Sequence, residues 1–359
     1  MTSVTPSTAD QAMNGVSDAV LDVRDLRVSY RIREGKVSAV NGVSFSLGRK
    51  EVLGLVGESG SGKSTIALSL LRLIKPPGTI EQGTVVLNGR NLLTLPEEEM
   101  RLVRLAELSM VAQGAMNSLN PVMRIGDQII DALQAHEQVS DRGARERVKE
   151  LLQIVGIDPR RIDAYPHELS GGMRQRAVIA MALALNPPLL IMDEPTTALD
   201  VVVQQEIMQQ LSDLKSQFGF SVLFITHDLS LLVEFSDRIG IMYAGEIVEE
   251  APAKELFKDP KHPYTFGLMH SFPLVHGPRR VLTGIPGAPP NLLDPPVGCR
   301  FNSRCALAFA PCPAQRPELL QLPGNRQVAC FLQDGVHDFD TSKAMRATID
   351  DSNLIGARR

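Results

Sequence analysis

The chain has 359 residues, 43% of them hydrophobic, and a net charge of −4. That apolar content supports one large packed domain with an appendage and excludes a natively disordered chain. The acidic balance excludes a nucleic-acid protein that draws its affinity from a broad basic surface.

Residues 1–20 are rich in Ser, Thr, Ala and Asp without periodicity and read as a flexible leader. Neither a Lys or Arg nor a long apolar run precedes Arg24, so both the basic and the apolar region of a signal peptide are missing. The longest apolar stretch, residues 178–185, falls far short of the roughly 20 residues that cross a bilayer. The chain is expected to stay in the cytoplasm and to meet a membrane only through other subunits.

Residues 20–30 (VLDVRDLRVSY) and 38–47 alternate apolar and polar side chains around a turn at Arg33-Glu34-Gly35-Lys36, which predicts antiparallel strands. A buried strand at 52–56 then runs through a Gly-rich loop into a helical pattern over 64–74, stopped by Pro76-Pro77-Gly78. Helical patterns at 124–135, 142–155 and 172–185, with no strand among them, predict a helical subdomain at about 114–185 inserted into the sheet. The wholly apolar runs 189–192 and 222–225 read as buried parallel strands whose polar C-terminal neighbours face ligand. A hairpin over 238–249 and two short helices follow. Residues 284–296 (GIPGAPPNLLDPP) are too proline-rich for a helix or central strand and mark the edge of a cysteine-bearing segment.

Gly57-Glu58-Ser59-Gly60-Ser61-Gly62-Lys63-Ser64 is a full match to the phosphate-binding loop G-x-x-x-x-G-K-S/T, in the required strand-to-helix setting. Gly57, Ser59, Gly60, Ser61, Gly62, Lys63, Ser64 and Thr65 are the candidate nucleotide-binding residues. Lys63 would neutralise the β and γ phosphates, Ser64 would ligate Mg²⁺, and the helix N-terminus favours anions. Downstream, LLIMDE ends a buried strand on two acids. Asp193 can hold the Mg²⁺ shell, and Glu194 can polarise an attacking water, since hydrolysis needs a positioned water and charge stabilisation more than covalent chemistry. These residues define a nucleotide hydrolase without saying which kind.

Leu169-Ser170-Gly171-Gly172-Met173-Arg174-Gln175-Arg176 resembles the signature sequence of ABC ATPases. Ser170 and the N–H groups of Gly171 and Gly172 at a helix start make a second anion site, which in that family completes the ATP pocket of a partner subunit. The resemblance implies an α/β P-loop ABC ATPase fold: a mixed sheet core with an antiparallel β subdomain and a helical subdomain, plus a small Cys-rich C-terminal domain. It places the nucleotide-binding domain at 21–260, the C-terminal domain at 261–335 and a flexible tail at 336–359. It also implies that Tyr30 stacks on adenine, that Gln113 senses Mg²⁺ and γ-phosphate, that Ala198-Leu199-Asp200 crosses the dimer interface, and that His227 contacts γ-phosphate. Gly114-Ala115 departs from the Asp-Pro that usually follows this glutamine, which puts the coupling details there in doubt.

Met173 in the signature, the string from Glu194 to Val201, His262-Pro263-Tyr264-Thr265 and Ile285-Pro286-Gly287-Ala288-Pro289-Pro290 resemble the oligopeptide and dipeptide importer branch. That branch implies an ATPase subunit, peripheral at the cytoplasmic face of the membrane. Its partners would be a second, homologous ATPase chain, two transmembrane permease subunits and an extracytoplasmic substrate-binding protein, with no nucleic acid. Nickel, opine or oligosaccharide import, and a soluble ABC ATPase of iron–sulfur assembly, are the alternatives.

Cys299, Cys305, Cys312 and Cys330 all fall in one window with spacing C-x5-C-x6-C-x17-C. In a reducing compartment such a group holds a metal or cluster more often than it forms disulfides. Structural zinc favours tighter pairs, whereas iron–sulfur clusters take four Cys at varied spacing. Importer ATPases with this extension can carry a 4Fe–4S cluster, so the resemblance implies one here, in a structural or redox-regulatory role, with zinc or unmetallated thiols as alternatives.

Overall fold

The alternation along the N-terminal segment is that of two paired strands, β1 (Ala19–Ile32) and β2 (Gly35–Gly48), antiparallel with Leu21 opposite Leu47 and Val28 opposite Val40. The computed structural model describes residues 19–197, 199–271, 284–335, 340–341 and 343–345; nearly all of the expected leader, most of the expected tail and Ala198 lie outside the described residues. The wholly buried β3 (Val52–Val56) leads into the phosphate loop. Beyond it, β4 (Gly78–Leu87) and β5 (Arg90–Asn91) join the first pair in a four-stranded sheet of order β2-β1-β4-β5. Its inner face, including Leu21, Leu26, Val43, Leu47, Val85 and Leu87, shares a core with Ile66 and Leu70 of the helix after the loop.

The larger sheet adds β6 (Leu108–Val111), β7 (Leu189–Asp193), β8 (Ser221–Thr226), β9 (Arg238–Tyr243), β10 (Glu246–Pro252), β11 (Leu320–Leu322) and β12 (Arg326–Val328). Its order is β11-β12-β10-β9-β3-β8-β7-β6, parallel from β9 to β6 and antiparallel beyond. Register puts Val56 beside Thr226 and Asp193 beside Ile225. The C-terminal ends of β3, β7 and β8 therefore lie at one level, the place where open α/β sheets bind ligands.

The helices at Ile125–Gln134, Asp141–Ile154 and Gly171–Ala182 match the three helical patterns closely, and no strand interrupts residues 114–185. Ile129, Leu133, Val148, Leu152 and Ala177 bury the faces they turn toward one another. The helix after the loop is shorter than its pattern, spanning Lys63–Leu70. Arg72 takes a φ of 52° and the Leu73 N–H closes back on the Leu68 carbonyl at 2.8 Å, which ends the helix before Pro76 is reached. Among the described residues no helix is long and apolar enough to cross a membrane.

The C-terminal segment, expected as a small Cys-rich domain at 261–335, is attached to the large sheet and its core. Strand β12 adds to β10 through Glu249 opposite Val328, and Phe301 packs into the main core against Tyr243 and Tyr264. Part of its apolar surface is thus buried against the core of the ATPase sheet. Residues 284–296 are irregular as expected. The tail is not wholly free: Thr341 is buried and accepts a hydrogen bond from Gln333 Nε2 at 2.9 Å.

Candidate active site

The chain leaves β3 at Val56, winds through residues 57–62 and enters the helix at Lys63. The loop is wedged between strands. A Cβ on Gly57 would stand 2.1 Å from the Met242 carbonyl oxygen, and one on Gly62 would stand 2.3 Å from that of Ala39. Gly62 also has a φ of 102°, open only to glycine without strain. No side chain caps the helix that follows, so its first N–H groups offer the donors and partial positive charge that bind phosphate.

Lys63 is buried beneath the loop, with Nζ donating to the carbonyls of Gly57 (2.8 Å) and Glu58 (3.0 Å) and to Ser61 Oγ (3.3 Å). Burial pushes its ammonium below the usual lysine value, against the opposing charges of Glu194, Asp193 and Glu58. Asp193, at the tip of β7, is pushed the other way. Burial raises its carboxyl above the ordinary range, opposed by a hydrogen bond from Ser64. Its Oδ1 is buried and has no hydrogen-bond partner among the described residues, which is costly unless something fills that role. A hydroxyl and a carboxylate oxygen are the hard donors that suit Mg²⁺, so Ser64 and Asp193 fit that ion.

Glu194 follows in a left-handed conformation with φ 47°, a strain of about 1–3 kcal/mol that surrounding contacts must hold. They do so on every side. Its N–H donates to the Ile225 carbonyl at 2.8 Å, fixing it to β8. Its Oε2 accepts from Gln113 Nε2 (2.9 Å) and Thr197 Oγ1 (3.1 Å), and its Oε1 lies 3.3 Å from His227 Nδ1. Three residues distant in sequence, Gln113, Glu194 and His227, are thus brought together at the ends of β6, β7 and β8. Thr197 was not singled out beforehand, although it lies in the quoted string after Glu194.

Other expected residues stand apart. Ser170 is exposed and caps its own helix, accepting from the Met173 N–H at 3.3 Å; among the described residues no hydrogen bond joins Ser170, Gly171 or Gly172 to residues 57–65. Asp200 likewise caps the helix Val201–Phe218, accepting from the Val203 N–H at 3.0 Å. Tyr30 ends the pairing of β1 with β4, opposite Gly78, where a Cβ would meet the tyrosine ring at 2.6 Å. After Gln113, Gly114 turns the chain at φ 67° into a short 3-10 turn, Ala115–Asn117.

The four cysteines are free of disulfides and line one small pocket with His262, Phe301 and Leu332. Burial pushes the thiols of Cys305 and Cys330 up to about 12 and raises that of Cys299. The loops do fold back as the spacing allowed. Among the described residues, however, no three His, Cys, Asp or Glu side chains stand close enough to hold a metal ion. The expected metal site is therefore met in its convergence and not in its coordination.

Comparison with known proteins supplies the frame for this geometry. The family model "ABC transporter" matches residues 40–197, and that of "Oligopeptide/dipeptide transporter, C-terminal region" matches residues 248–312. The chain is 45% identical over 317 residues to the oligopeptide transport ATP-binding protein OppD of Bacillus subtilis, covering 87% of this chain and 88% of that one. It is 41% identical to the dipeptide transport ATP-binding protein DppD of Caldanaerobacter subterraneus, covering 88% of this chain and 97% of that one. Among solved structures, the dimeric post-hydrolysis state of the ATP-binding cassette MJ0796 bound to ADP and Pi is 28% identical, with a TM-score of 0.58, over 65% of this chain and 98% of that one. With its phosphate loop, its paired acids and relatives alike along nearly its whole length, the chain belongs to the ATP-binding proteins of ABC transporters, in the oligopeptide and dipeptide branch.

Proposed function

We propose that this chain hydrolyses ATP to power import of di- and oligopeptides through a separate membrane permease. The observation that carries the hydrolytic part is the meeting of Gln113, Glu194 and His227 around one carboxylate, beside Asp193 at the end of β7. The peptide part rests on the relatives' names and on the C-terminal region they share. In this reading the loop N–H groups and Lys63 bind the β and γ phosphates, and Tyr30 stacks on adenine. Ser64, Asp193 and Gln113 hold Mg²⁺, which when bound neutralises phosphate charge. Glu194 accepts the proton of the attacking water, and His227 steadies the γ-phosphate.

Ser170, Gly171 and Gly172 serve the pocket of a second, homologous ATPase chain, with Asp200 at the same interface. Two permease subunits and an extracytoplasmic binding protein complete the assembly, and this chain sits at the cytoplasmic face. The four thiols that line one pocket would be the donor set of a 4Fe–4S cluster; iron and sulfide analysis of anaerobically purified protein, with absorbance near 400 nm, tests this. Glu194→Gln should retain ATP binding and lose at least about a hundredfold in turnover. Unchanged turnover would overturn the assignment. Uptake of a labelled tripeptide by cells carrying only that variant should fall to the level of a deletion; persistent uptake, with ATPase activity lost in the purified variant, would show that the cargo is something else or that another importer suffices.

A further inference from the structure

The second residue of the phosphate loop is held from outside the loop. Arg304 forks onto the Glu58 carboxylate, Nη1 to Oε2 at 2.8 Å and Nη2 to Oε1 at 3.0 Å, and the Glu58 N–H donates to the Tyr264 hydroxyl at 3.0 Å. Arg304 is itself locked. Its Nε donates to the Pro286 carbonyl at 2.8 Å and its Nη1 to the Tyr243 hydroxyl at 3.2 Å, and it lies over the Tyr243 and Phe301 rings. Its side chain is 5% exposed and that of Glu58 25%. A planar fork this desolvated fixes geometry in a way a screened surface pair does not.

The backbone of Glu58 turns toward Lys63. Its carbonyl accepts from Lys63 Nζ at 3.0 Å, so one residue joins the lysine of the loop to a region that takes no part in hydrolysis. The C-terminal segment does not need Glu58 to stay attached. It is already fastened to β10 by Arg300 and Arg316 on Glu246 and by Arg326 on Glu249. Among the described residues, the fork on Glu58 is the ion pair of that segment that reaches the loop.

We propose that Arg304 is a positioning residue for nucleotide binding. Through Glu58 it sets the conformation of the phosphate loop and the place of Lys63, so the cysteine-bearing segment tunes ATP affinity from outside the pocket. This rests on the reading of residues 57–65 as the ATP site.

The test uses the full chain and reads binding of a fluorescent ATP analogue, the KM and kcat for ATP, and the melting temperature. Arg304→Gln and Glu58→Gln should each weaken binding and raise KM on the order of tenfold, and the double variant should be no weaker than either single one. Arg304→Lys, which keeps the charge and loses the fork, should recover part of the loss. Arg326→Gln, which breaks an ion pair of the same segment away from the loop, should lower the melting temperature and leave affinity unchanged. Should Arg304→Gln fail to fold, Glu58→Gln decides alone, since it leaves the carbonyl partners of Arg304 in place. Lys63→Ala separates the two readings. If it loses binding while Glu58→Gln and Arg304→Gln bind as wild type does, the positioning role is overturned and the ATP site stands. If Lys63→Ala binds normally, the ATP site itself is refuted, and the proposal with it.

Discussion

Two helices of this protein begin at glycine-rich turns, and they begin in opposite surroundings. At Lys63 the turn is clamped between β2 and β9, the lysine is buried, and among the described residues no side chain caps the helix. At Gly171 the turn is open, and exposed Ser170 spends its oxygen on capping its own helix. Glycine content is the same kind of signal at both. What separates them is burial: the first is closed in by strands of its own chain, and the second carries an exposed serine that caps its own helix.

That contrast can be broken at its strongest point by removing glycine from the clamped turn. Gly62→Ala would force a Cβ against the Ala39 carbonyl at a φ of 102°, and a loss of more than about 2 kcal/mol is expected, read as a lowered urea midpoint. Ser170→Ala touches only the open turn. It should cost about 1 kcal/mol as a lost cap and leave nucleotide binding to the isolated chain intact, while lowering turnover of the assembled pair, measured by titrating the partner subunit. Loss of binding in the isolated chain would erase the distinction between the two turns.

The smallest expected effect concerns Asp193. Its carboxyl titrates above the ordinary range in the folded state because burial disfavours the charge, so the folded protein holds a proton that the unfolded chain has released. Stability from this group is present below the ordinary carboxylate range and declines as pH rises through the raised value. Asp193→Asn should flatten that decline and raise the urea midpoint at neutral pH in the absence of Mg²⁺, at the expense of turnover. A variant no more stable than wild type at neutral pH would show that the buried carboxylate carries no such penalty.

The parts of the site that were legible in the sequence are those whose chemistry is contiguous. Gly57 to Ser64 and Asp193-Glu194 announce themselves because a phosphate loop needs its residues in unbroken order and a metal acid follows a buried strand. The strand pair at the N-terminus and the three helices between 114 and 185 were legible from periodicity. Strands β4 and β6 drew no assignment. One is largely exposed and polar along its first half, and the other is four residues long, so neither offers a run from which a period can be read. The C-terminal region misled for a different reason. A proline-rich boundary and clustered cysteines look like a separate unit in one dimension, but the pairing of Glu249 with Val328 and the seating of Phe301 between two tyrosines are long-range contacts with no local signature. The fork of Arg304 on Glu58 joins positions 246 residues apart and was invisible for the same reason.

The antiparallel addition of β12 and β11 to β10 has a consequence for the life of the protein outside its transport cycle. Strand β10 is seven residues long and buried through its middle five. A strand of that kind left at the border of a sheet is a template on which other chains can polymerise. Here the border is handed to β11, three residues long and nowhere fully buried, which leaves little backbone for a stranger to pair with. The same segment that reaches the phosphate loop thereby also guards the flank of the sheet, and damage to it threatens solubility before it touches catalysis.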